Sequence, residues 1–115
     1  MMRRVILESP YSGDIDKHLA YARRCMKDCL ARNKSPLASH LLYTQVLRDD
    51  NPSERELGIA AGLTWGAVAD ATVVYTDHGI SDGMRCGMWR AHIEGRPVEY
   101  RRLHPRKESN KWRSR

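Results

Sequence analysis

Phenylalanine is absent from this 115-residue chain, so its aromatic load falls on five tyrosines and on Trp65, Trp89 and Trp112. Cysteine is scarce and odd in number: Cys25, Cys29 and Cys86. An odd count with no secretory segment excludes a disulfide framework and points to reduced thiols. Cys25 and Cys29 are four apart on a predicted helix and share a face, but no matching His/Cys pair follows. Core packing is therefore the expected role, with no metal and no cofactor. No apolar run is long enough to cross a bilayer, which excludes a spanning helix. The run after Met1-Met2-Arg3-Arg4 is only Val5-Ile6-Leu7, too short for a signal-peptide core, so a cytoplasmic protein with no membrane partner is expected. No internal repeat or low-complexity linker interrupts the first hundred residues, and the length fits one domain with an ordinary core.

The net charge is +6. Arg106, Lys107, Lys111, Arg113 and Arg115 stand against Glu108 in the last twelve residues, so four of the six net positive charges lie there. The chain divides into a domain over residues 1–103 and a basic tail over 104–115, expected to be a solvated end. A role for that tail and Trp112 in holding nucleic acid or an acidic protein is the lesser alternative, because no groove-reading motif accompanies it.

Periodicity supplies the elements. Arg3 to Glu8 reads as a first strand, and Ser9-Pro10-Tyr11-Ser12-Gly13 as a turn-rich loop. Asp14 is a plausible N-cap for a helix with Ile15, Leu19, Ala22, Met26 and Leu30 on one stripe. Pro36 to Ser39 forms a second strand. Ser53-x-x-Glu56 after a proline is a capping box opening a second helix that runs to about Ala69. That helix carries Gly58, Gly62 and Gly66 along one face, each costing about 1 kcal/mol relative to alanine. Close packing on a neighbouring element, a symmetric dimer contact or room for a ligand would each offset that cost. The β-branched run Ala71 to Tyr75, the turn Asp77 to Gly83, a helix to about Gly95 and a strand near Pro97–Leu103 make a βαβ unit.

The order β-α-β-α-β-α-β with short connections predicts an α/β fold. Its form is a small three-layer sandwich, flavodoxin-like, with a mostly parallel sheet of four to five strands. Ligands of such sheets collect at the carboxyl ends of the strands. There the loops bring together Ser9, Pro10 and Tyr11 with His40 to Tyr43 and with Asp77 to Arg85. Ser81-x-Gly83 at a helix start can present a hydroxyl and backbone N–H groups to a phosphate. Arg85 is suited to clamp an anion, and Tyr11 to stack on a base or sugar.

Four phrases carry a family likeness: Leu7-Glu8-Ser9-Pro10-Tyr11-Ser12-Gly13, His40-Leu41-Leu42-Tyr43, Glu54-Arg55-Glu56-Leu57-Gly58-Ile59 and Ile80-Ser81-Asp82-Gly83-Met84-Arg85. Over residues 4 to 103 the chain resembles the nucleoside 2-deoxyribosyltransferase-like superfamily. That group includes the deoxynucleoside 5′-phosphate N-hydrolases, and the likeness is nearest to small proteins of this fold in phages and prophages. The resemblance implies a nucleotide-like ligand, with Ser9, Pro10 and Tyr11 in the base- and sugar-binding loop and Ser81 and Gly83 in the phosphate-binding turn; His40, Tyr43, Met84 and Arg85, brought to the same end of the sheet, complete the candidate ligand-binding set. It also implies a homodimer or larger oligomer, for which the glycine face of Gly58, Gly62 and Gly66, read from its spacing, is the candidate contact. In the enzymes of that superfamily the helix after the Ser-x-Gly turn carries a nucleophilic glutamate, and that position is Gly87 here. A second carboxylate, three residues ahead of an aromatic matched by Trp65, falls on Gly62. A glycine can hold neither a sugar cation nor a covalent adduct.

The leading expectation is therefore a binding protein that keeps the pocket and has lost the chemistry, serving in a phage as a counter-defence or host-takeover factor within the bacterial cytoplasm. The alternatives are a deoxynucleotide N-glycosidase or transferase with a relocated acid, and a protein-binding or weak nucleic-acid-binding factor using the tail. Glu54, Glu56, Asp77 and Asp82 are the candidates for a relocated acid.

Overall fold

A computed structural model describes residues 2–104; the basic tail beyond His104 lies outside the described residues. The elements alternate along the chain: β1 (Arg3–Glu8), α1 (Ile15–Ala31), β2 (Lys34–Leu37), α2 (Pro52–Trp65), β3 (Ala71–Tyr75), α3 (Asp82–Ile93) and β4 (Val98–Arg101). Two 3-10 turns, Ser39–Leu41 and Tyr43–Gln45, join β2 to α2, and a third, Gly66–Val68, follows α2. All four strands are parallel, in the order β2-β1-β3-β4. This is the α/β architecture expected from the sequence. Right-handed crossovers place α1 on one face of the sheet and α2 and α3 on the other.

Strand alternation assigns the two faces. Val5 and Leu7 of β1 and Ala71, Val73 and Tyr75 of β3 join Tyr21, Cys25 and Cys29 of α1 in the main core. Cys25 and Cys29 are buried free thiols, in accord with core packing, and burial pushes the Cys25 thiol up to about 12. The buried stripe of α1 is Tyr21, Ala22, Cys25 and Cys29, whereas Ile15 and Leu30 of the expected stripe are exposed. The stripe is rotated because Tyr21 and the thiols fill the space over β3. Tyr75 at the end of β3 is fully buried, and its hydroxyl donates to Asp28 Oδ2 at 2.7 Å beside Cys29 Sγ at 3.3 Å.

The helix starts follow local chemistry. Asp14 caps α1, its Oδ1 accepting from the Lys17 N–H. The start of α2 differs from the expected Ser53–Glu56 box. Asn51 is the N-cap, accepting from the N–H groups of Ser53 and Glu54, and Pro52 is the first helical residue. A proline at that position loses no hydrogen bond and has its φ preset, so the helix begins two residues earlier. The α2 helix also ends at Trp65 instead of Ala69. β2 starts earlier than expected, at Lys34, because Asn33 with φ 60° ends the preceding turn.

The far end of α3 sets a residue of wider reach. Gly95, at φ +71°, turns the chain so that the Arg96 N–H returns to the Ala91 carbonyl at 2.8 Å, a helix stop that needs a left-handed residue. Arg96 is thereby aimed back over the sheet and buried. Its Nε donates to Thr72 Oγ1 on β3 at 2.9 Å, and its Nη1 to the Gly66 carbonyl at 2.7 Å and to Glu94 Oε1 at 2.6 Å. One guanidinium so ties β3, the end of α2 and the end of α3. Lysine cannot reproduce that fork. Arg96→Lys is expected to lower unfolding free energy by about 1–3 kcal/mol, measured by urea denaturation.

Asp77, just past β3, binds the other face. It accepts from the Tyr21 hydroxyl at 2.6 Å and from the N–H groups of Leu103 and His104. Burial alone would raise its carboxyl, but these donors and Arg102 outweigh burial and hold it down at about 2. A depressed carboxyl adds stability above its ordinary value of 3.8 and loses it as pH falls through its folded value. Asp77→Asn is expected to lower stability at neutral pH and to flatten the decline between about pH 4 and pH 2. Chemical denaturation across that window checks it; an unchanged acid profile would contradict the assignment.

Candidate functional site

A cavity of about 630 Å³ opens on the α2–α3 face, at the carboxyl end of β1. Its size is that of a small-molecule site. Gly58 and Gly62 of α2, Gly66 just past its end, and Gly83 and Gly87 of α3 line it. The glycine face of α2 is thus turned toward its own chain. A Cβ at Gly58 would meet Leu47 at 3.4 Å, one at Gly62 would meet Ser39 Cβ at 2.9 Å, and one at Gly66 would meet the Arg96 guanidinium at 2.9 Å. The space this face saves lies within the chain, against Leu47, Ser39 and Arg96.

The loops after β1 and β2 supply an aromatic wall. Tyr11 and His40 stack with ring centroids 4.8 Å apart and an interplanar angle of 17°. The His18 Nδ1–H of α1 donates to the Tyr11 carbonyl at 3.0 Å, fixing the first loop. Thr44 donates to the His40 carbonyl at 2.6 Å, fixing the second. Burial lowers the His40 pKa, which favours the neutral imidazole. The Trp65 indole donates to the Tyr43 hydroxyl at 2.7 Å and so ties α2 to this wall.

The N-terminus of α3 forms the opposite rim. The Ser81 hydroxyl accepts from the Met84 N–H at 3.2 Å, and Met84 Sδ accepts from the Ser81 N–H. Ser81 is therefore the cap and Asp82 the first helical residue. The leading N–H groups of a helix have no partner within it, and Asp82 and Gly83 line the mouth of the cavity.

Of the residues singled out from the sequence, Tyr11, His40, Tyr43, Ser81 and Gly83 line this one cavity. Ser9 and Pro10 are buried beside it, and among the described residues Ser9 Oγ has no hydrogen-bond partner. Met84 is buried in the core. Arg85 pairs with Asp82 at 3.2 Å on the exposed side of α3 and does not line the cavity. The candidate acids scatter. Glu54 lines the wall, but its Oε1 accepts from the Arg48 N–H at 3.0 Å. Asp82 is at the rim, fully exposed. Glu56 is exposed elsewhere on α2, and Asp77 is engaged on the α1 face.

Two residues that line the cavity went unnoticed in the sequence as functional groups. Arg96 forms part of its floor. Glu8, the last residue of β1, points to the same side as Ile6, and its carboxyl lies where a side chain at Gly87 would begin: a Cβ there would overlap it, with Oε1 2.8 Å away. Desolvation raises the Glu8 carboxyl to about 8 against the opposing pull of Arg96, so it is largely protonated at neutral pH. The only advance signal is a carboxylate closing an otherwise apolar central strand, at the end of the strand where such sheets hold ligands.

Several comparisons place this geometry. The fold is similar to that of a solved 2-deoxyribosyltransferase from the psychrotolerant bacterium Bacillus psychrosaccharolyticus. The TM-score is 0.64 and the identity 16%, over 94% of this chain and 78% of that one. The α/β fold expected from the sequence is thereby supported. No curated protein matches the sequence. A family model described as a domain of unknown function, DUF7768, matches residues 3–101. The chain belongs to that family, whose domain is the whole α/β unit that builds the cavity.

Proposed function

We propose that the cavity between α2 and α3 binds a nucleotide or a nucleotide-derived small molecule. The observation that carries this reading is the opposition of the stacked Tyr11–His40 pair to the open N-terminus of α3 across one cavity. A flat aromatic surface takes a base or sugar face, and the free N–H groups of Asp82 and Gly83 with the helix dipole take a phosphate. The glycines of both helices leave room for a ligand between those ends. The similarity in fold to a 2-deoxyribosyltransferase supports a nucleoside component. Arg85 has no part in this reading, since it faces Asp82 outside the cavity.

Isothermal titration with a panel of nucleoside and deoxynucleoside 5′-monophosphates tests the proposal. Tyr11→Ala is expected to raise Kd by roughly tenfold or more through lost stacking, while Arg85→Ala leaves it near the wild-type value. Equal affinities for wild type and Tyr11→Ala, or no binding by any member of the panel, would sink the assignment.

A further inference from the structure

The outer face of α1 lies across the sheet from the cavity and carries charge of nearly one sign. Ten lysines and arginines among the described residues form ion pairs with carboxylates. Among the described residues Lys17, Arg23, Arg24, Lys27 and Arg102 have no such partner. Four of these belong to one helix. The helical repeat puts Lys17, Arg23, Arg24 and Lys27 within about a third of the circumference of α1 and about 15 Å of its length, and all four are exposed. The buried stripe of Tyr21, Ala22, Cys25 and Cys29 is on the other side. Asp16 is the one acid among the exposed residues of α1; Asp28 is half-buried and held by Arg32 and Tyr75.

This gathering costs stability. Arg23 and Lys27 are four apart, Arg24 and Lys27 three apart, and like charges at those spacings repel. Elsewhere the chain uses the same spacing for opposite charges, Arg32 with Asp28 and Arg90 with Glu94. The crowding reaches the next side chain. Burial, then Lys17, with His18 and Arg24 behind it, hold the His78 imidazole below the usual histidine range against the pull of Asp77.

The same side of the sheet receives the end of the described chain. Arg24 lies over the Tyr21 ring, 5.8 Å from its centroid, and the Tyr21 hydroxyl donates to Asp77. Arg102 acts on Asp77, and the His104 N–H donates to it. From that point eleven residues follow, with five cations against Glu108. A second block of positive charge therefore starts beside the first.

The character of the face selects its partner. Between the cations stand Ala20 and Ala31, with Leu30 at one edge. Such a face offers no aromatic or large apolar anchor for a protein and little to insert into a bilayer. A run of phosphates needs only charge, and the arginine fork matches each phosphate. Trp112, between Lys111 and Arg113, adds a ring on which an unpaired base can stack. We propose that the outer face of α1, with Arg102 and the basic segment after it, binds the phosphate backbone of single-stranded nucleic acid without reading its sequence. This surface is separate from the cavity and does not depend on the nucleotide reading.

The test is fluorescence anisotropy of a labelled oligothymidylate titrated with the full chain over a salt series. Binding is expected at low salt, with log K falling against log salt at a slope of about −3 or steeper. Arg23→Gln, Arg24→Gln and Lys27→Gln together are expected to weaken binding tenfold or more and to make the slope shallower by about 2. Arg23→Lys with Arg24→Lys keeps the charge and is expected to keep the slope. Trp112→Ala should weaken the single strand roughly tenfold and leave a duplex unaffected. No binding at low salt, or an unchanged slope in the triple variant, overturns the proposal. Tighter binding of a duplex of the same length overturns the choice of a single strand. Equal competition by polyglutamate or by anionic phospholipid vesicles overturns the choice of nucleic acid.

Discussion

The Arg96 guanidinium is the interaction on which the cavity-bearing half of the molecule depends. Three segments distant in sequence meet at it: Thr72 on the central sheet, the carbonyl of Gly66 where α2 ends, and Glu94 where α3 ends. A buried cation is costly unless each of its donors is matched, and here the matching partners lie on different elements. The cost of burial therefore acts as a geometric constraint. If α2 slid relative to β3, the guanidinium would lose a carbonyl that nothing nearby replaces. Gly66 is part of the same constraint, because any side chain there would run into Arg96.

The two faces of the sheet are built on different principles. The α1 face is filled by Val5, Leu7, Val73, Tyr75 and the helix residues Tyr21, Cys25 and Cys29, with polar atoms paired through Asp28 and Asp77. The α2–α3 face substitutes glycine for bulk. No residue of α2 is fully buried, and its inward stripe is small enough to leave a void beside Glu8 and Arg96. A tightly packed layer on one side of the sheet thus holds the strands in register for an open layer on the other.

Much of the fold was legible in the sequence because its signals are local. The run Ala71–Tyr75 could only be a buried strand, Asp14 could cap the helix that follows it, and Ser81 could open α3; each involves residues within a few positions of one another. The rotated stripe of α1 was less legible, since Ile15 and Leu30 fit a helical period as well as Tyr21 and Cys29 do, and the choice between them is made by β3. The orientation of the glycine stripe was open for the same reason: spacing shows that three glycines share a face, not what that face meets. That Glu8 meets Gly87 was hidden altogether. They are nearly eighty residues apart, and only the parallel register of β1 with β3 and the crossover through α3 make them neighbours.

The outer side of α2 presents Leu57, Trp65 and the adjoining Val68 to solvent, while its inner side lines the cavity and touches its neighbours mainly through glycines. This helix consequently stands with little hydrophobic anchorage on either flank, held mainly at its ends by Asn51, the Trp65–Tyr43 bond and the Arg96 fork. Its amides are those whose hydrogen exchange would be governed by local opening instead of global unfolding. A molecule filling the void would complete that layer's interior, so occupancy and the ordering of α2 become one linked equilibrium.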